Sequence, residues 1–248
     1  MRGPFRVLDT HTHIGTALHS GRQYSADQLL RAMDRAGIDR SLVIPFPVVA
    51  DARAAHDEIG RAVQAHPDRL SGVVCLNPFL PRTEFLDEVR RAVETYGFRA
   101  LKLQPQYQPL NPLWRTSDFF FETALEHRLP IICHTGSGIP YSLPALMMDP
   151  ARRYPDLKIV LAHCGGGLLV GEAIVAADFC PNIYLELSSL MPNHVLEVMH
   201  RVPSSRLMVG SDLAENLEVE IGKIEGLAVS DEDKQRVLWE TGCAVFGE

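Results

Sequence analysis

The sequence predicts an α/β fold, a (β/α)8 TIM barrel formed as a single domain over residues 1–248. Three observations predict it: the length, eight short apolar β-rich runs, and a helical or Gly/Pro-broken stretch after each run. A chain of 248 residues is the usual size of one such barrel. The runs lie at 5–12, 41–46, 70–76, 98–103, 130–134, 157–163, 182–188 and 206–211. They recur at roughly 25 to 35 residues, the spacing of βα units. Their nearly continuous Val/Ile/Leu character is what parallel strands covered on both faces require. Eight such units in succession favour a closed barrel over an open sheet. No Pro/Ser/Gly linker or shift in composition divides the chain.

Between the runs lie amphipathic segments. Residues 26–36 carry Leu29, Leu30 and Met33 on one face, and 84–95 carry Phe85, Leu86, Val89 and Ala92. Gly37 and Gly97 follow them as helix stops. A closing helix is expected over 231–246, with Ser230 or Asp231 as its N-cap. Two connections are longer and irregular, 14–25 and 104–117. In a barrel they cover the C-terminal face, where substrates bind.

The composition is that of a soluble globular protein, 46% hydrophobic and 22% charged. A net charge of −7 argues against nucleic acid or an anionic membrane as partner. No apolar run approaches the roughly 20 residues of a membrane span, and residues 1–8 lack the apolar core of a signal peptide. The five cysteines are scattered, with no CxxC pair, which reads as reduced thiols in a cytoplasmic protein. The expected partner is a small-molecule substrate, and a homo-oligomer is compatible with the sequence.

Residues able to bind metal fall at the carboxyl ends of the runs. His11 and His13 end the first, and strand periodicity of two turns both inward toward one ion. Asp9, two residues earlier, is expected on the same inward side as His11. His134 ends the fifth run, His163 the sixth and Asp212 the eighth. Closure sets the eighth strand beside the first, and an eight-stranded barrel is narrow enough for His134 to reach the same ion. Imidazoles and one carboxylate leave a zinc-like ion residual charge and an open position. That charge lowers the pKa of bound water toward about 7. Asp212 would touch ion and water and so shuttle the proton. His163 would stand just beyond, deprotonating water or bonding a substrate oxygen. Each feature has a plain alternative: an HxH pair can be ordinary alternation, a buried histidine a bonded core residue, and Ser211-Asp212 a helix cap. Convergence of all of them on one barrel face favours the metal reading.

Taken together, Asp9-Thr-His-Thr-His13, Ile132-Cys-His-Thr-Gly136, Leu161-Ala-His-Cys-Gly-Gly166 and Gly210-Ser-Asp212 resemble the amidohydrolase superfamily. The chain is most similar to its amidohydrolase 2 branch, which includes aminocarboxymuconate-semialdehyde decarboxylase and related aromatic-acid decarboxylases, hydratases and lactonases. The likeness runs in order through Pro67-Asp-Arg69 and Ala100-Leu-Lys-Leu103. It implies one divalent ion, zinc first and manganese second, held by His11, His13, His134 and Asp212. It implies His163 as general base or polarising residue and Asp212 as proton shuttle. Where the branch often has Gly-Asn before its last helix, this chain has Glu240-Thr241.

Lys102 stays open between a bridge to a second metal in carboxylated form, a substrate contact, and a buried ion pair; a buried lysine needs some partner. Arg22 on the first long loop, Tyr107 and Arg115 on the second, and Glu186 on the seventh run are candidate substrate contacts, suited to a small anionic or aromatic molecule. His56, His66, His127, His194 and His200 read as surface or packing residues. The expected reaction is hydrolysis of an ester, lactone or amide carbonyl by metal-bound hydroxide. The alternative is non-oxidative decarboxylation or hydration of an unsaturated or aromatic acid. A third class, a metal-binding barrel without catalysis, gives no reason for a base beside the ion.

Overall fold

The computed structural model describes residues 4–138 and 140–248. Among the described residues nine strands form one sheet: β1 (Leu8–Thr16), β2 (Gln23–Tyr24), β3 (Arg40–Pro45), β4 (Leu70–Cys75), β5 (Ala100–Leu103), β6 (Ile131–His134), β7 (Ile159–Ala162), β8 (Ile183–Glu186) and β9 (Leu207–Met208). Their order is β2-β1-β3-β4-β5-β6-β7-β8-β9. Every pair from β1 onward is parallel except β2, which turns back on β1 through Gly15 and Tyr24. The eight expected strands are therefore present. β2 is an addition inside the first long connection.

The eight parallel strands close. Beyond β9 the chain stays extended against β1: Thr10 N–H donates to Val209 O at 3.1 Å, and Ser211 and Asp212 N–H donate to His11 O at 3.0 and 2.7 Å. Thr12 and Asp212 form a parallel bridge. Asp212 is thus placed beside the two histidines of β1 by the barrel's own ladder.

Alternation sorts the side chains into two apolar layers. Leu42 and Ile44, Val73 and Cys75, Ala100, Ile132, Val160 and Ala162 pack together with Val245 and Phe246 of the closing segment. The residues between them, such as Val43, Val74, Leu101, Ile131 and Leu161, pack instead against helical residues Leu29, Met33, Phe85 and Phe120. Two residues beyond an inner position is again an inner position. That rule carries Lys102, His134 and Glu186 from Ala100, Ile132 and Tyr184 to the top of the inner face.

β1 departs from simple alternation. Asp9 pairs with Ser41 and Thr12 with Val43, so β1 holds one extra residue between them. Such a bulge re-aims the side chains that follow it. Leu8 and Thr10 lie against Gly242 of the closing segment, while His11 and His13 face the barrel mouth. Asp9 therefore does not share the side of His11, contrary to the sequence expectation. It bonds Ser211 N–H and Oγ–H, both at 2.9 Å.

Around the sheet run α1 (Ala26–Ala36), α2 (Ala52–Ala65), α3 (Arg82–Tyr96), α4 (Asp118–Glu126), α5 (Met148–Arg153), α6 (Val170–Phe179), α7 (Pro192–Arg201), α8 (Leu217–Glu225), α9 (Asp231–Gln235) and α10 (Thr241–Phe246). Gly37 and Gly97 end α1 and α3 in the left-handed conformation, as read from the sequence. Ser230 caps α9 by accepting from Asp233 N–H. The closing segment is helical throughout but changes pitch, with a π turn over Arg236–Glu240 between α9 and α10. Val237 O in that turn accepts from Val209 N–H at 3.1 Å, so the altered pitch ties the segment to the last strand. No helix among the described residues is long and apolar enough to cross a membrane.

Candidate metal centre

Four buried histidines from three strand ends meet at the C-terminal face. His11 is 0%, His13 5%, His134 8% and His163 5% exposed. The His11 ring centroid lies 5.2 Å from that of His13 and 5.0 Å from that of His163, and His163 lies 4.8 Å from His134. Asp212 Oδ1 is 3.5 Å from His11 Nε2, 3.7 Å from His13 Nε2 and 3.9 Å from His163 Nε2.

Each imidazole is anchored through one nitrogen. His13 Nδ1 lies 3.1 Å from Pro45 O, and His134 Nε2 lies 2.9 Å from Ser137 O. A carbonyl only accepts, so those nitrogens carry the proton and the other nitrogen of each ring keeps its lone pair. His11 Nδ1 is 3.1 Å from Glu186 Oε2, and His163 Nδ1 is 2.7 Å from Ser188 Oγ. Anchoring of this kind fixes ring orientation in metal sites.

The consequence is electrostatic. His11 Nε2 and His13 Nε2 stand 3.2 Å apart, and both are acceptors. Their lone pairs and the Asp212 carboxylate converge, and the ligand atoms of these three residues lie within 4.8 Å of one another. The donor that reaches them is the Lys102 ammonium, whose Nζ is 2.8 Å from His11 Nε2. An arrangement that points acceptors at acceptors suits a cation between them. The chemistry of the donors fits a zinc-like ion, for which mixed imidazole and carboxylate ligation is ordinary. His134 stands apart from this group of three: its Nε2 is spent on Ser137 O, leaving Nδ1 as the nitrogen with a lone pair.

Burial governs protonation here. Desolvation, reinforced by the Lys102 charge, lowers His13 to about 4. Desolvation and then neighbouring His163 lower His134 to about 3, and desolvation with His11 lowers His163 to about 3. His11 is pushed well below its ordinary value by the same burial. All four are neutral imidazoles at neutral pH, the form that binds metal. Burial also lowers Lys102, and it raises Asp9 to about 7.

The backbone is strained at this face. His163 and Cys164 have φ of 64° and 44°, and Gly165, Gly166 and Gly167 continue at 80°, 62° and 81°. This left-handed turn is open to glycine and costs an L residue roughly 1–2 kcal/mol. Asp212 (φ 63°) and Ser189 (φ 61°) add to it, in the pattern expected where function holds strain. A cavity of about 610 Å³ opens beside the turn, lined by His134, Gly136, His163, Leu168, Ser189 and Asp212. A smaller one of about 280 Å³ lies at His13, Arg22, Phe46 and Glu215.

The remaining sequence candidates are placed as follows. Lys102 is 1% exposed and belongs to the cluster. Arg22 lines the smaller cavity and is paired with Glu215. Tyr107 is 38% exposed, its ring 4.4 Å from His19. The Arg115 side chain is 76% exposed, 3.5 Å from Asp118. Glu186 is wholly buried behind His11 and His163. Sequence reasoning missed Ser188, although it sits two residues beyond Glu186 at the same strand end. It also missed the carbonyls of Pro45 and Ser137, for which no side-chain signal exists.

Comparison with known proteins bears on the fold and the family. The fold is similar to that of 4-oxalomesaconate hydratase from Rhodopseudomonas palustris, at TM-score 0.73 and 18% identity over 97% of this chain and 95% of that one. It is similar to a dihydroxybenzoic acid decarboxylase from a Polaromonas species with bound manganese, at 0.76 and 15% over 98% and 97%. An uncharacterised TIM-barrel protein from Bordetella bronchiseptica gives 0.79 and 17% over 98% and 100%. No curated protein sequence matches the chain. The amidohydrolase family model matches residues 8–247, and the chain belongs to that family.

Proposed function

We propose that the protein is a metal-dependent hydrolase that attacks an ester, lactone or amide carbonyl of a small molecule. The observation that carries this reading is the convergence of His11 Nε2, His13 Nε2 and Asp212 Oδ1, acceptors facing acceptors, with His163 Nε2 beside them. His11, His13 and Asp212 would hold a divalent ion, with His134 as the fourth ligand through its remaining nitrogen; zinc is the first candidate and manganese the second. The ion would supply Lewis-acid activation of water and of the substrate carbonyl.

The chain's own residues do the rest. His163, neutral and with its Nε2 lone pair toward Asp212, accepts a proton from water. Asp212, with its side chain 31% exposed, is reached from the cavity and passes that proton toward the leaving group. Leu168, 95% exposed beside the glycine turn, offers an apolar edge for the substrate. The arginines that a carboxylate clamp would use are engaged elsewhere, Arg22 with Glu215 and Arg115 with Asp118.

A second reading, decarboxylation or hydration of an unsaturated or aromatic acid, is favoured by Lys102. Its ammonium is the cation closest to the histidines among the three basic candidates and could hold a substrate carboxylate. The test is elemental analysis of purified protein, followed by a panel of lactones, esters, amides and aromatic acids with CO₂ detection. About one equivalent of zinc or manganese with carbonyl hydrolysis supports the proposal. CO₂ release without hydrolysis selects the lyase reading, and no bound metal after supplementation sinks both.

A further inference from the structure

We propose that Glu186 is a positioning residue that sets the tautomers of two site histidines together, acting directly on His11 and through Ser188 on His163. The inference rests on the metal reading for its purpose but not for its geometry.

Glu186 is 0% exposed and its two oxygens face four groups. Oε1 accepts from Ser188 N–H at 2.5 Å. Oε2 accepts from His163 N–H at 3.1 Å and from the Ser188 hydroxyl at 2.9 Å, and it faces His11 Nδ1 at 3.1 Å. The two backbone N–H groups can only donate, so they fix the carboxylate as an acceptor on both sides. A proton is therefore held on His11 Nδ1, and its Nε2 lone pair is turned to the site. The Ser188 hydroxyl has one hydrogen, and Glu186 takes it. Toward His163 Nδ1, 2.7 Å away, that hydroxyl can only accept. His163 must then carry its proton on Nδ1 and leave Nε2 open toward Asp212.

The last strand is shaped to permit this contact. A Cβ on Gly210 would come within 2.8 Å of Glu186 Cδ, Glu186 Oε1 and His11 Cβ. Only glycine leaves room for the carboxylate against the His11 ring. The four histidines thus divide into two pairs. His13 and His134 are held by carbonyls, whose acceptor character no substitution nearby can change. His11 and His163 depend on one carboxylate. A single substitution there should reach both a ligand and the base.

Glu186→Ala makes the prediction sharp, because it removes the acceptor that both histidines depend on. The Ser188 hydroxyl is then free to donate to His163 Nδ1, and His11 has no acceptor at Nδ1 but a lone pair and a carboxylate at Nε2. Both His11 and His163 move their proton to Nε2, where it faces the site. The experiment is long-range ¹H–¹⁵N correlation of ¹⁵N-histidine-labelled, metal-free protein, with Zn²⁺ and Mn²⁺ affinity measured by chelator competition. In wild type, His11 and His163 are expected in the Nδ1–H form. Glu186→Ala should shift both toward Nε2–H and weaken metal binding about 10–100-fold. Ser188→Ala should release His163 alone. The signals of His13 and His134 should hold in both variants and report that the fold is intact. Unchanged His11 and His163 tautomers in a folded Glu186→Ala protein overturn the proposal. Where that variant fails to fold, Ser188→Ala decides: His163 remaining Nδ1–H while His13 and His134 are intact overturns the relay. Tautomers that follow the prediction in a wild-type protein binding neither metal support the positioning role and refute the metal reading separately.

Discussion

His56 and His11 are both wholly buried and both face a glutamate, yet their second nitrogens differ. His56 Nδ1 lies 2.8 Å from Glu88 Oε1, and its Nε2 accepts from Cys75 N–H at 3.1 Å. Both ring nitrogens are spent within the protein. Arg91 completes that cluster with bonds to Glu88 at 2.7 and 2.8 Å and to Asp57 at 2.6 Å. His11 Nδ1 is spent on Glu186, and its Nε2, 2.8 Å from Lys102 Nζ, also faces a second lone pair and a carboxylate. Burial beside a carboxylate therefore does not mark a functional histidine. An acceptor turned toward other acceptors is what sets His11 apart.

The largest effect expected from breaking this contrast is at a ligand. His13→Ala should lose the bound metal and all measurable turnover, while thermal unfolding stays cooperative; elemental analysis and a melt check both. His163→Asn should lower kcat by about 10²–10⁴-fold, the range of a general base, with metal equivalents unchanged. A loss of metal in that variant would move His163 from base to ligand. His56→Ala should do the reverse of both. It leaves Cys75 N–H without an acceptor and Glu88 with Arg91 alone, and should cost about 1–3 kcal/mol in urea unfolding, with metal content per folded chain retained.

Acid titration sharpens the same comparison. Burial pushes the Glu88 carboxyl up, but its bonds to Arg91 and His56 outweigh this and hold it at about 2, below its ordinary 4.5. A lowered carboxyl stabilises the fold fully above the unfolded value and loses that contribution as pH falls through the folded one. Stability should decline from about pH 4.5 toward 2, and Glu88→Gln should flatten that part of the profile. The smallest effect belongs to the rim. Arg22 and Glu215 are half-exposed, and such pairs contribute about 0–1 kcal/mol. Arg22→Ala should leave stability nearly unchanged and alter KM more than kcat if the smaller cavity admits substrate; equal kinetics for all substrates would remove Arg22 from the site.

The comparison also explains what could be read in advance. Strand runs and the His11, His13, His134, His163 and Asp212 positions were legible because apolar continuity and polar strand ends are local in sequence. The closure that brings Asp212 beside β1 followed from counting eight strands. The partners of Arg22 and Glu186 were not legible, because Glu215 and His163 meet them only through the barrel's curvature. The bulge in β1 left no mark either, since Thr10 and Thr12 look alike in an alternating run and only the neighbouring strand reveals the extra residue. His56 was rightly assigned to packing, for a reason, its place within a helix, that said nothing of Glu88 or Cys75.

That bulge gives one strand two addresses. Below it, Leu8 and Thr10 serve the closing segment, and above it His11 and His13 serve the cavity. In strict alternation Leu8 and Thr10 would share a side with Thr12 rather than with His11 and His13, and the extra residue lifts that restriction. Deleting Thr10 would therefore leave Asp9 opposite Ser41 and Thr12 opposite Val43 in plain alternation. Both histidines would keep the mouth, and what would be lost is the Thr10 contact with Gly242, the hold of the closing segment on β1.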